Sequence, residues 1–104
     1  MRKFVDFQHT EVFLSEESEA HILFSHPEVT LEQISKTLAD PDEVRRSQFR
    51  QEAKLYYQLK TKTDSGVRYI CVVVKVTANQ EELIVSAMTT SGIKDGEVIY
   101  KKEK

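Results

Sequence analysis

The feature that most constrains this chain is the run at residues 67–76, V-R-Y-I-C-V-V-V-K-V, its most continuously apolar and β-branched stretch. Val and Ile suit a pleated surface, and almost no position in the run is left to face water, so it predicts a central β-strand covered on both faces. Its neighbours read as strands too. In residues 53–60, Ala53, Leu55, Tyr57 and Leu59 alternate with Lys54, Tyr56, Gln58 and Lys60, a period of two that predicts one apolar face and one basic, phenolic face. Thr63-Asp64-Ser65-Gly66 is a turn signal that folds these two strands into a hairpin. A further turn at residues 77–80 leads into a strand at 82–90, and residues 43–48 supply the first strand of the main sheet. Asp95-Gly96 precedes a last short strand at 97–100.

Upstream the pattern differs. Residues 4–14 show no clean period and read as one or two short extended pieces. Ser15 followed by Glu16 and Glu17 predicts a helix start, since a hydroxyl takes the orphan N–H groups and acids suit the first turn. That helix ends by Ser25, before Pro27 disfavours helical geometry at His26, with Ala20, Leu23 and Phe24 on its apolar side. Thr30 with Gln33 forms a capping box for a second helix, whose Leu31, Ile34 and Leu38 make one buried stripe until Asp40-Pro41-Asp42 ends it. The expected architecture is α+β: two N-terminal helices packed on one face of a four-stranded antiparallel sheet, five-stranded if the last piece joins. At 104 residues the chain reads as one domain, with 1–14 irregular or a short strand, 15–40 helical and 43–100 sheet.

Composition narrows the functional classes. No stretch is apolar enough to span a bilayer, and residues 1–6, M-R-K-F-V-D, carry charge too early for a signal peptide. The expectation is a cytoplasmic protein with no membrane association. The lone Cys71 sits inside the apolar run and reads as a core residue. Residues 1–42 hold three basic and nine acidic side chains, a net of −6, whereas residues 43–104 hold twelve basic and eight acidic, a net of +4. A basic sheet beside acidic helices suggests an anionic partner for the sheet, although lysines on strand faces are commonly a solvated surface.

The chain has no P-loop, no dinucleotide-binding glycine pattern and no His-Glu-x-x-His. His9, His21 and His26 lack ligand spacing, so neither a metal nor a cofactor is expected. Metal-free cleavage of RNA by the adjacent 2′-hydroxyl needs only a general base, a general acid and cations for the phosphate. His21 and His26 have the intrinsic acidity for proton transfer near neutrality. Arg45, Arg46, Lys54 and Arg68 supply cations, Tyr56 a proton or a stacking ring, and Thr89, Thr90 or Ser91 a hydrogen bond to phosphate. Helix packing for the histidines and core packing for the tyrosine pair are the plainer readings of the same residues.

Several segments together resemble a known family. They are His21-Ile22-Leu23 with His26-Pro27-Glu28, residues 38–47 L-A-D-P-D-E-V-R-R-S, residues 71–76 C-V-V-V-K-V, and Ile84-Val85-Ser86-Ala87. Over residues 12–100 the chain is similar to the barnase/EndoU/colicin/RelE-like nuclease superfamily, in its phage-associated branch, with BrnT-type toxins as neighbours. The resemblance implies a metal-independent ribonuclease, toxin-like or phage-derived, holding RNA on the sheet face opposite the helices. It points to His21, His26, Arg46, Tyr56 and Thr89-Thr90-Ser91 as site residues, and to an antitoxin or other protein as a partner besides RNA. BrnT-like sequences tend to carry an arginine where this chain has Met88; either Lys94 substitutes for it or the activity is gone. A catalytically inactive domain of the same fold that binds nucleic acid or protein is the alternative, and a self-associating module with exposed sheet edges is a third.

Overall fold

In a computed structural model the structure describes residues 1–103. The strands are β1 (Arg2–Val5), β2 (Glu11–Leu14), β3 (Glu43–Arg46), β4 (Ala53–Thr63), β5 (Gly66–Val76), β6 (Glu82–Thr90) and β7 (Val98–Lys101). The helices α1 (Glu16–Ser25) and α2 (Leu31–Ala39) lie between β2 and β3 in the chain.

All seven strands join one sheet in the order β1-β2-β6-β5-β4-β3-β7. The expectation of a four- or five-stranded antiparallel sheet is therefore wrong on two counts. The N-terminal pieces form a β1–β2 hairpin that joins the sheet, and β2 runs parallel to β6, with Val12 opposite Glu82 and Phe13 opposite Leu83. The sheet is mixed. A two-residue parallel pairing between positions so distant in the chain leaves no periodic signal, because each segment alone reads as an irregular edge.

The helix starts follow their caps. The Ser15 hydroxyl accepts from the Ser18 N–H at 3.1 Å, and Thr30 and Gln33 cap α2 reciprocally. The buried stripe of α2 is Ile34, Thr37 and Leu38, with Leu31 half-buried. The apolar side expected for α1 is inverted: Ile22 is its one buried residue, while Ala20, Leu23 and Phe24 are exposed, Phe24 to 88%. The tightly packed core between helices and sheet contains Val12, Leu14, Ile34, Leu38, Val72 and Ile84, each burial contributing about 1.5–3 kcal/mol before the cost of ordering.

The faces of β4 are also reversed from the sequence expectation. Val44, Tyr56, Val72 and Ala87 stand opposite one another across β3, β4, β5 and β6, and all four are fully buried beneath the helices. The basic, phenolic face is thus the core face. Its polar members Lys54, Tyr56 and Gln58 find partners there, while Lys60 beyond them is exposed. The Gln58 amide donates to the carbonyls of Lys36 and Asp40 at the end of α2, and Lys54 lies 2.7 Å from Glu82. On the other face, Leu55, Tyr57 and Cys71 form a smaller cluster with Tyr69, Val73, Met88 and Ile93. The segment between β6 and β7 covers it there: the Lys94 N–H donates to the Tyr57 hydroxyl at 3.2 Å. Val72 and Val74 are buried on one side of β5 and Cys71 on the other, which bears out β5 as a doubly covered strand.

Gly96 brings β7 onto β3. Its φ is +158°, and a Cβ there would lie 2.2 Å from the Arg46 carbonyl oxygen. Only glycine lets the two backbones approach this closely.

Candidate functional site

The first part of the site is built at the exit of α1. The His26 N–H closes the last helical turn onto the Ile22 carbonyl at 2.7 Å, and its own carbonyl accepts from Val29 at 3.0 Å. Pro27 and Glu28 form the turn between. This places the Glu28 carboxylate 3.5 Å from His26 Nδ1, where the Thr89 hydroxyl also donates to it at 3.3 Å. Glu28 is held below the usual carboxylate range, chiefly by a hydrogen bond from its own backbone, with Thr89 and His26 adding and burial opposing. The carboxylate lies on the Nδ1 side of the imidazole, at ion-pair rather than hydrogen-bond distance, and Nε2 is the nitrogen left for a ligand.

The second part lies further along the same sheet face. Thr89 opposes Ile70, a buried residue of the helix-facing side, so Thr89 belongs to that side as well. Arg68 is two residues before Ile70 and continues that side of β5 beyond the helices. Arg68 and Ser91, with Thr61, Thr63 and Ser65, line a recess of 280 Å³ at the root of the β4–β5 hairpin turn. Arg68 is exposed, and no carboxylate pairs with it among the described residues. A guanidinium among hydroxyls is chemistry suited to a phosphate, with charge from arginine and short donors around it. Beside the recess, the Thr90 hydroxyl donates to the Gly92 carbonyl at 2.9 Å, which shapes the chain as it leaves β6.

The remaining sequence candidates do not join this end. His21 is exposed on α1, five residues before His26, with Glu17 and Phe24 as neighbours on its stripe. Tyr56 has no exposed surface and donates to Asp6 Oδ2 at 2.9 Å, and burial above all pushes its phenol far above the ordinary range. It cannot reach a ligand. Lys54 is occupied by Glu82, Arg45 by Glu43 and the Gly96 carbonyl, and Arg46 by Glu97 and the Gln51 carbonyl. The side chain of Lys94 is exposed on the segment covering the opposite face.

Sequence reasoning missed Glu28 and the hydroxyls of Thr61, Thr63 and Ser65 as members of this end. The signal for Glu28 was His-Pro-Glu itself, since a turn begun by proline returns a carboxylate two positions on toward the imidazole. Among the described residues no cluster of His, Cys, Asp and Glu is arranged to hold a metal ion, and no helix is long and apolar enough to cross a membrane. Comparison with protein-family models, curated proteins and solved structures returns no match.

Proposed function

We propose that this chain is a metal-independent RNA-cleaving domain whose site lies at the α1 exit rather than over the middle of the sheet. The observation that carries the reading is His26 beside Glu28, whose carboxylate Thr89 holds, on the same sheet side as the unpaired Arg68 and its hydroxyl-lined recess. His26 Nε2 takes the proton of a ribose 2′-hydroxyl, and the oxygen attacks the adjacent phosphorus. The bond from phosphorus to the 5′-oxygen breaks, water returns a proton to that oxygen, and a 2′,3′-cyclic phosphate remains. Arg68 and the Ser91 hydroxyl meet the charge that builds on the phosphate oxygens. The resemblance of His26-Pro27-Glu28 and of the segment ending β6 to the RelE-like nucleases supports the same reading. An antitoxin-type partner is part of this proposal only through that resemblance.

A second reading, RNA binding without cleavage, is favoured by Met88 standing where the resemblance calls for an arginine, and by the occupation of Arg46, Lys54 and Tyr56 elsewhere. Incubation of a structured RNA in EDTA separates the two. Wild type should cleave, His26→Ala should bind but not cleave, and Arg68→Ala should bind more weakly, with a salt dependence reduced by about one counterion. Binding without cleavage by wild type selects the second reading. No binding at all removes both.

A further inference from the structure

Two exposed surfaces on opposite sides of the sheet match each other in chemistry. The first is the outer side of α1, where Glu17, Ala20 and Phe24 follow one helical stripe with Leu23 beside it, opposite the buried Ile22. Leu23 and Phe24 are 44% and 88% exposed, and Glu17 has no cation partner among the described residues. It is one unpaired carboxylate followed by an apolar patch, the neighbouring Glu16 and Glu19 being paired with the N-terminus and Arg2. The second surface is a recess of 330 Å³ on the helix-free face, floored by Ala53, Val73 and Val85 and rimmed by Arg50, Lys75 and Glu52. Neither Arg50 nor Lys75 has a carboxylate partner among the described residues, and Phe49 beside the rim is 89% exposed. It is an apolar floor with a rim that is basic on balance.

We propose that the outer side of α1 of one copy docks into this recess on a second copy, with Phe24 and Leu23 on the valine floor and Glu17 against Arg50 and Lys75. Exposed apolar residues flanked by charge mark interaction surfaces, and opposite charge sets which surface meets which. One copy cannot fill its own recess, because α1 packs over β6 on the helix side while the recess opens on the reverse of β5 and β6. The contact joins unlike surfaces, so a pair of copies keeps one of each kind free, the recess of one and the helix surface of the other. Such head-to-tail association closes into a ring or grows as a chain rather than stopping at two. The inference is independent of the RNA reading.

The test uses two variants of the full chain: Glu17→Lys with Phe24→Ala, which disables the helix surface, and Arg50→Glu with Lys75→Glu, which disables the recess. All four positions are exposed, and unchanged circular dichroism and thermal unfolding establish that each variant folds. Light scattering up to about 1 mM, a concentration that captures weak association, should show the wild-type mass rising past two copies. Each variant alone should weaken association at least tenfold, and an equimolar mixture of the two should stop at a dimer, since one good helix surface and one good recess remain. A wild type that stays monomeric, association that survives either variant, or a mixture that stays monomeric would each overturn the proposal.

Discussion

The hydroxyl of Tyr56 donates to Oδ2 of Asp6 across 2.9 Å, joining residues 50 positions apart in the chain. The other Asp6 oxygen accepts from the backbone N–H groups of Gln8 and Thr10, each at 2.9 Å, so one buried carboxylate closes the β1–β2 turn and pins it to the middle of the sheet. Tyr56→Phe leaves that oxygen without its donor inside the protein and should cost roughly 1–3 kcal/mol in urea unfolding. On the proposed RNA-cleaving reading, the same variant keeps the cleavage of wild type per folded molecule. A Tyr56→Phe protein as stable as wild type would show that the link contributes nothing.

Lys54 and Glu82 stand 2.7 Å apart with side chains only 12% and 13% exposed, and the carboxylate oxygen nearest the ammonium has no well-directed hydrogen bond. The Lys54 ammonium also lies 5.5 Å from the centre of the Tyr56 ring. Lys54→Met should cost about 3 kcal/mol by stranding Glu82, whereas Lys54→Met combined with Glu82→Leu should recover most of it. A double-mutant cycle in denaturant measures the difference. Equal losses in the single and double variants would mean that the pair acts through packing alone.

The two glycines after β6 should respond oppositely to substitution. A Cβ on Gly96 would collide with the Arg46 carbonyl, while one on Gly92 would meet nothing within 4 Å. Gly96→Ala should therefore lift β7 from β3 and destabilise by about 2 kcal/mol or more, with Gly92→Ala within about 0.5 kcal/mol of wild type. Hydrogen exchange at the β3 amides reads the lifting directly, because the Arg46 N–H donates to Glu97 beside Gly96.

Burial pushes the Cys71 thiol from the ordinary 9.0 up to about 11, and the Tyr57 phenol from 10.0 up to about 12. Between those values the unfolded chain releases protons that the folded chain keeps, so stability is full below about pH 8.5 and falls as pH rises through 9 to 11, then on toward 12. Cys71→Ala should remove the first part of this slope and reduce the second, because Cys71 adds to burial in raising the Tyr57 phenol. At pH 8 the native thiol should react with a disulfide reagent far more slowly than in urea.

Much of the fold was legible in residues whose local chemistry and tertiary fate agree. The Thr30–Gln33 capping box, the turn at residues 63–66 and the boundaries of β6 all appear as expected. The faces of β4 were not legible, because Lys54 and Gln58 look like solvated positions and are in fact bound beneath the helices by Glu82 and by the α2 carbonyls. Leu55 and Tyr57 look like the core side but belong to a second, smaller cluster under Ile93. On α1 the order of Ala20, Leu23 and Phe24 suggested a core stripe, yet Ile22 alone turns inward. Of the candidate site, His26, Arg68, Thr89, Thr90 and Ser91 do share one end of the sheet, whereas Arg45, Arg46 and Lys54 are each held by a carboxylate elsewhere.

The parallel pairing of β2 with β6 has a consequence for birth on the ribosome. Residues 12 and 13 leave the exit tunnel well before their partner residues 82 and 83, which follow 70 positions later (82 − 12). The β3–β4–β5–β6 hairpins can zip in order as they emerge, each pairing with the strand just before it. During that interval β2 is a waiting strand whose Val12 and Leu14 lack the Ile84 of β6 that completes their core. Slowing translation between β5 and β6 should lengthen that wait and favour aggregation, and charged substitutions within β2 should not relieve it without also losing the edge of the finished sheet.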